Sequence, residues 1–314
     1  MDALAGLFAG DSQRSAFLLR TQFAAPFAIT IADGAPLSVI VTSRGGLTVT
    51  HPEATYAVAE STVVLVRGDR PWSMADEPDS PVLAIIHPGQ RCETPVGEPL
   101  AERWSLGIRT WGNADEPSAT HVVFAGAYET VPETGRWVLE ALPPVLVAPE
   151  GAIAPGLLAM YADEVIRDDI AQPVVLSRTL DLLVVLAVRH WMRDQPGSLP
   201  PGVLRGLADA VVGPAIRLMQ AEPAERWTIQ ALARRVGVSR AALAKRFTEV
   251  VGTAPIAFLT EWRLSVAADR LTLSRDPIGA IAAEVGYGSA FALSTAFKRR
   301  YGVSPHRYRT STAA

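Results

Sequence analysis

The chain has a single cysteine, Cys92, among 314 residues. An internal disulfide is therefore impossible, and a disulfide-stapled secreted module is excluded. A long uncharged apolar run is also missing. The most apolar helical stretch, Val174 to Met192, is interrupted by Arg178, Asp181 and Arg189, whereas a bilayer crossing needs about 20 largely uncharged residues. No Lys or Arg precedes Arg14, so the basic start of a signal peptide is absent and a cytoplasmic protein without a membrane partner is expected. No Gly-rich phosphate loop, Gly-x-Ser-x-Gly elbow or Cys-x-x-Cys pair occurs, which removes the common nucleotide, hydrolase and redox signatures. His51, His87 and His121 of the first half stand apart without a His-x-His pair, and His87 with Cys92 is the nearest approach to a metal-ligand pair. Neither a metal nor a cofactor is expected.

What is present is an uneven charge. The chain carries 29 Lys+Arg against 32 Asp+Glu, a net of -3, with 49% hydrophobic residues. That apolar content supports packed cores, and the length suits about two domains. Residues 214–314 hold 15 basic and 7 acidic side chains, a net of +8, which leaves -11 for residues 1–213. A basic segment of domain size on an acidic body points to a polyanionic partner.

The pattern along the chain changes twice. Leu4, Leu7 and Phe8 recur at helical spacing within residues 2–10. From Ala16 to Leu142 the signals are strands and turns: residues 27–31, 37–42, 62–67, 82–86 and 121–124 are short, rich in β-branched side chains and bounded by turn formers. Arg44-Gly45-Gly46 and Arg67-Gly68-Asp69 read as tight turns. Many short strands of this kind predict a sandwich or small barrel. After Pro143-Pro144 the period becomes helical, first around Leu157, Leu158, Tyr161 and Val165 and then over Val174–Met192. The second helix places Arg178, Asp181 and Arg189 on one face. Its apolar remainder is wide enough for packing within one chain or against a second copy. Residues 195–202, rich in Pro and Gly, read as a linker.

The last hundred residues contain a duplication. Thr228–Val236 predicts a helix with Ile229, Leu232, Ala233 and Val236 inward, Gly237 supplies a left-handed stop, and Ser239 caps the next helix, Arg240–Val250. Leu243, Phe247 and Val250 face inward there, and Arg240, Ala241, Ala244, Lys245 and Thr248 face out. About fifty residues on, Asp276 is expected to cap with Pro277 in the first helical position, Ile278, Ile281, Ala282 and Val285 face inward, and Gly286-Tyr287-Gly288-Ser289 turns into a helix from Ala290 to Tyr301. Leu293 and Phe297 are inward; Ala290, Phe291, Ser294, Thr295 and Lys298 are outward. A long helix, Pro255–Leu271, joins the units. Helix, short Gly-containing turn and second helix with a basic outer face is the helix-turn-helix unit of DNA-binding proteins.

These residues resemble the AraC/XylS family of bacterial transcription regulators. The likeness spans about residues 214–312 and rests on Gly286-Tyr287, Ser289, Ser294, Phe297-Lys298-Arg299-Arg300, Gly302, Ser304-Pro305 and Tyr308-Arg309, with Ala231-Leu232-Ala233 and Gly252…Pro255 upstream. The resemblance implies an α+β protein. Residues 1–145 would form a cupin-like β-barrel for sensing or dimerisation, 146–205 a helical linker and dimerisation segment, and 206–314 an all-α domain with two helix-turn-helix units. It implies double-stranded promoter DNA as partner, a homodimer, a small-molecule effector, and RNA polymerase if the protein activates. Carried over by position, Arg240, Ala241, Ala244 and Lys245 face DNA from the first unit, and Ala290, Phe291, Ser294, Thr295, Lys298 and Arg299 from the second. Phe291 stands where a small polar residue is usual and Thr295 where arginine is common, so the second unit is expected to lean on shape and phosphate contacts. Arg300, Arg307 and Arg309 are further phosphate candidates.

For the first half, Trp72, Trp104 and Tyr56, with Trp111 and Met74, are the candidate liners of an effector pocket. A catalytic role is not expected. Cupin enzymes hold a metal with a His-x-His cluster, a carboxylate and a later His, and Arg70-Pro71-Trp72 occupies the place where related barrels often carry a histidine. Two other readings stay open: a cupin-type enzyme with a DNA-binding appendage, and a regulator that works through partner proteins alone.

Overall fold

The β-branched runs do become strands, and pairing recruits further segments to them. The computed structural model describes residues 3–8, 16–68, 70–195 and 199–311. In chain order the elements are α1 (Ala3–Gly6), β1 (Ala16–Phe23), β2 (Ala28–Ile31), β3 (Leu37–Arg44), β4 (Leu47–His51), β5 (Ala54–Val58), β6 (Val63–Arg67), β7 (Trp72–Ala75), β8 (Val82–His87), β9 (Arg91–Glu93), β10 (Ser105–Gly107), β11 (Thr110–Gly112), β12 (His121–Tyr128), α2 (Glu133–Leu139), β13 (Val145–Ala148), α3 (Pro155–Val165) and α4 (Gln172–Asp194). Then follow α5 (Val203–Ala208), α6 (Val212–Ala221), α7 (Ile229–Arg235), α8 (Arg240–Val251), α9 (Pro255–Leu273), α10 (Ile278–Glu284), α11 (Ala290–Tyr301) and α12 (Pro305–Ser311). Among the described residues no helix is long and apolar enough to cross a membrane.

Contacts gather into two compact units, one of Ser12–Thr130 with Leu142–Arg193 and one of Met1–Asp11, Val131–Ala141 and Asp194–Ala314. In the first, seven strands run in the order β10-β11-β1-β12-β3-β6-β13 and six in the order β5-β4-β7-β2-β8-β9. Among the described residues no ladder joins the two, so the expected barrel takes the form of two sheets packed face to face. Phe23, Ile40, Val64 and Val123 from one sheet meet Ile29, Val49 and Met74 from the other in a single buried cluster. Leu37–Thr42 of β3 is buried at every position, because β3 lies between β12 and β6 and has both faces covered. A strand buried on both faces needs a continuous apolar run, which is why this stretch was conspicuous in the sequence.

Helices α3 and α4 cover the outer face. The Tyr161 ring lies edge-on to Phe124 at 5.7 Å, and Leu180 packs on Gly126. The expected polar face of α4 is split. Arg178 is exposed, but Asp181 is only 8% exposed, accepts the Tyr128 hydroxyl at 2.8 Å and pairs with Arg178 at 3.1 Å. Burial raises the pKa of both the Asp181 carboxyl and the Tyr128 phenol, as expected when charge loses hydration.

Three local expectations differ from the structure. Residues 133–139, within the segment read as strands and turns, form helix α2, and Val145–Ala148, across the expected start of the helical linker, pairs antiparallel with β6 as strand β13. Asp276 does not cap α10. Pro277 holds the cap position without a side-chain bond, and Asp276 instead accepts Arg309 Nη2 on its carbonyl at 2.6 Å. Of the expected first helix, residues 2, 9 and 10 lie outside the described residues, as do Asp69 of the second expected turn and residues 196–198 of the linker.

Helix α2 belongs to the helical unit and depends on it. Pro132 at its start offers no capping side chain. Asp269 of α9 takes that role, accepting Glu133 N at 2.6 Å, Thr134 N at 3.0 Å and Thr134 Oγ1 at 2.6 Å. A carboxylate there satisfies otherwise orphaned N–H groups and meets the positive end of the helix dipole. Burial nevertheless pushes its carboxyl above the usual range. Trp137 Nε1 donates to Ser265 Oγ at 2.9 Å. On its other side α2 meets α1, and a Cβ on Gly135 would stand 2.7 Å from the Leu7 Cα; only glycine permits that approach.

Replacing Asp269 with Ala should strand two backbone donors and a hydroxyl and cost about 1–3 kcal/mol per buried donor left unpaired. A lower urea midpoint for Asp269→Ala, with a smaller loss for Asp269→Asn, is the expected result.

Candidate nucleic-acid interface

The two helix-turn-helix units are built by the same local bonds. In the first, Thr228 Oγ1 accepts Ala231 N at 3.1 Å and starts α7, and Gly237 turns the chain at φ 74°. Val238 N then closes back onto Ala233 O at 3.0 Å. Ser239 Oγ accepts Ala242 N at 3.1 Å to start α8, which ends on Gly252 at φ 86°. In the second, Gly286 turns at φ 83°, Tyr287 N closes onto Ala282 O at 2.7 Å, and Ser289 Oγ accepts Ala292 N at 3.1 Å. Helix α11 ends on Gly302 at φ 76°. Ser239 and Ser289, Leu243 and Leu293, Phe247 and Phe297, and Gly252 and Gly302 thus repeat at an interval of fifty. Gly288 is the one extra residue of the second turn. Gly286 is required twice over, since its φ is left-handed and a Cβ there would lie 2.8 Å from the Ala224 Cα.

Leu243 and Phe247 are fully buried on α8, as are Leu293 and Phe297 on α11. Inner anchors at this spacing force the opposite face outward. Arg240, Ala241 and Lys245 are exposed and Ala244 is half-buried; Phe291, Thr295, Lys298 and Arg299 are exposed, and Ala290 and Ser294 are half-buried. All ten positions inferred from sequence therefore lie on the two outer faces or at their margins.

Partners separate the cations into two groups. Arg300 is tied to Glu261 at 2.7 Å and lies over the Tyr301 ring, and Arg309 bonds the Asp276 carbonyl, so both serve the packing of this unit. Arg263 donates to the carbonyls of Pro223 and Glu225, each at 2.7 Å. Arg246 is held by Asp209 at 2.8 Å. By contrast, the side chains of Arg240, Lys298, Arg299 and Arg307 show no hydrogen bond or ion pair among the described residues, and Lys245 has a loose 3.9 Å contact to Glu249. Lys245 and Lys298 are also the only lysines in the sequence. A chain that otherwise uses arginine throughout places one compact ammonium on each outward helix face.

The Asp209–Arg246 pair has no local sequence signal, because its partners are 37 residues apart. Asp209 also accepts Val211 N at 2.9 Å and Val212 N at 2.8 Å. Burial acts to raise its pKa, but the Val212 and Val211 amides and Arg246 outweigh it and hold the carboxyl below the ordinary 3.8. The pair thus links the start of α6 to α8.

In the β unit a cavity of about 340 Å³ opens among Leu19, Ile29, Ile40, Trp72, Met74 and Trp111. Of the candidate liners, Trp72, Met74 and Trp111 face it. Trp104 stands behind, its ring 4.8 Å from that of Trp111, and Tyr56 is half-buried on β5 against the core cluster. Cys92 lines the cavity and donates to Gln90 O at 3.3 Å, with burial pushing its thiol pKa up. His87 Nε2 lies 2.9 Å from Glu93. Among the described residues no three His, Cys, Asp or Glu side chains converge as a metal site.

A β-sheet unit with an internal cavity, joined to a duplicated helix-turn-helix with free cations on its outer helices, defines a two-domain DNA-binding regulator. Residues 2–193 match the cupin family model and residues 232–311 the helix-turn-helix domain model. A putative AraC-like transcription regulator from Streptomyces antibioticus is 34% identical over 206 residues, covering 65% of this chain and 67% of that protein. A second of the same description from Streptomyces lividans is 32% identical over 207 residues, covering 65% and 66%. The DNA-binding domain of AdpA, a global transcriptional factor solved in complex with a target DNA, is 29% identical over 31% of this chain and 87% of that one, with a TM-score of 0.30. The chain belongs to the AraC-like family of DNA-binding transcription regulators.

Two results are expected at this interface. Amine acylation of the full-length protein should label Lys245 and Lys298, and bound operator DNA should protect both in peptide mass analysis. In Asp209→Asn, stability should fall relative to the parent above pH 4. The gap should narrow as pH drops below the ordinary carboxylate value of 3.8, because a group whose folded pKa is depressed stabilises only while ionised. Urea denaturation at several pH values reads this difference.

Proposed function

We propose that α8 and α11 enter consecutive major grooves on one face of double-stranded promoter DNA. The single observation that carries this reading is the repeated, identically capped helix pair whose outward faces hold the chain's two lysines. Recognition helices about 34 Å apart fit successive turns of B-DNA. Ala241 and Ala244 suit thymine methyls, and Lys245 suits guanine acceptors or a phosphate. Ala290, Phe291, Ser294 and Thr295 face the second groove, with Lys298, Arg299 and Arg240 toward the backbone.

Residues 206–314 act as the DNA reader and residues 1–145 as sensor and dimerisation domain, with residues 146–205 as the helical connection. The cavity among Trp72, Met74 and Trp111 is suited to a small, largely apolar effector, since concave apolar sites with few polar groups are the usual ligand sites. The protein works as a cytoplasmic homodimer and as a regulator rather than a catalyst. Where it activates, RNA polymerase is the further partner.

Binding-site selection from random DNA, followed by footprinting, tests this reading. Two protected segments about one helical turn apart are expected, with affinity falling steeply as salt rises because phosphate contacts release counterions. Lys245→Ala should weaken binding by about 1–3 kcal/mol if it holds a base edge, and less if it holds only a phosphate. Failure to enrich any motif, together with unchanged affinity of Lys245→Ala, would overturn it. For the sensor, a compound that occupies the cavity should raise the melting temperature, and Ala125→Phe, which projects into the same cavity, should abolish that rise.

A further inference from the structure

Phe291 is 82% exposed, the one aromatic among the exposed large apolar side chains of the described residues. The fold has no visible use for it. The aromatic cluster of the second unit closes without it: Phe297 is fully buried, with the Tyr301 and Tyr308 rings 4.5 and 5.2 Å away. Phe291 stands instead in the first turn of α11, on the face opposite Leu293 and Phe297.

Its neighbour one turn on strengthens the apolar character of that face. Thr295 Oγ1 donates to the Phe291 carbonyl at 3.0 Å, so its donor hydrogen is taken up by the helix itself. No Arg, Asn or Gln lies among the outward positions of the first two turns of α11, and Lys298 and Arg299 come only in the last turn. The bidentate groups that read guanine and adenine are therefore missing where base edges would be met. The Thr295 oxygen can still accept and Ser294 adds a second hydroxyl, but the exposed ring itself can match only one apolar feature of the major groove, the C5 methyl of thymine.

Resting on the groove reading above, we infer that α11 selects thymine through its C5 methyl, with Phe291 as the specificity-determining residue. This assigns base reading to a helix whose composition otherwise points to shape and phosphate contacts. Helix α8 carries the polar contact through Lys245, and α11 carries an apolar one.

The test uses the full-length protein and the operator recovered by selection, with the footprint placing the α11 half-site. Thymines there are replaced by deoxyuridine, which removes the methyl and leaves every base-pair hydrogen bond. For the parent protein this should lower affinity about fourfold for each methyl in contact, the worth of one buried carbon. Phe291→Ala should bind the thymine operator more weakly and show no further loss with deoxyuridine. Phe291→Leu should retain part of the discrimination. Because the side chain is exposed, unchanged melting temperatures would show that both variants are folded. Selection of an operator with no thymine under α11, or equal affinity of the parent protein for thymine and deoxyuridine duplexes, overturns the inference and leaves groove binding intact. A loss in Phe291→Ala with no deoxyuridine effect also overturns it, since the ring would then act other than on the methyl. Recovery of no operator at all overturns the groove reading itself.

Discussion

The helical unit depends on burying α9 from several sides at once. Phe258, Leu259, Trp262, Leu264, Ala267, Ala268 and Leu271 are all buried along its nineteen residues. Phe258 meets Phe247 of the first helix-turn-helix edge-on at 5.6 Å, while Leu264, Ala267, Ala268 and Leu271 share a core with Ile281, Leu293 and Phe297 of the second. A third side receives α2 through Asp269 and Ser265. Close packing of this kind leaves little room for independent movement, so the separation of α8 and α11 is set by one rigid rod. A fixed spacing is what the proposed reading of consecutive grooves requires of two short helices.

Charge is allotted with the same economy. The overall value of -3 hides a basic helical segment on an acidic remainder. Within the basic segment, many arginines are committed to carbonyls and carboxylates of the fold, as with Arg246, Arg263, Arg300 and Arg309. Formal charge therefore overstates what is available to a polyanion. Arg240, Lys298 and Arg299, without a hydrogen bond or ion pair among the described residues, and Lys245, with only its loose contact to Glu249, stand exposed on α8 and α11.

The β unit meets a different constraint. Two sheets sharing one core must fill the space between them with side chains or leave a cavity, and here the large rings of Trp72 and Trp111 frame a volume that remains open. Its lining is mixed in origin, drawn from strands far apart in the chain. A list of aromatic residues therefore does not separate Trp72, which lines the cavity, from Trp104, whose ring lies 4.8 Å from that of Trp111 without lining it.

The sequence by itself determined the duplication, the helix boundaries of α8 and α11, their inward anchors and the identity of their outer faces. Each of those features is set by bonds spanning a few residues, such as Ser239 to Ala242 and Ser289 to Ala292, and by a 3.6-residue apolar period that a chain cannot hide. The five short β-branched runs were legible from their composition and flanking turn formers. Tertiary structure decided the rest. Helix α2 forms on a carboxylate 135 residues away, β13 exists because β6 offers it an edge, and Asp276 loses its cap position to Pro277. Which arginines are free for DNA also depends on partners such as Asp209, 37 residues from Arg246. A local pattern cannot carry that information, because the free energy of a bond between distant residues is realised only once the chain has closed the loop between them.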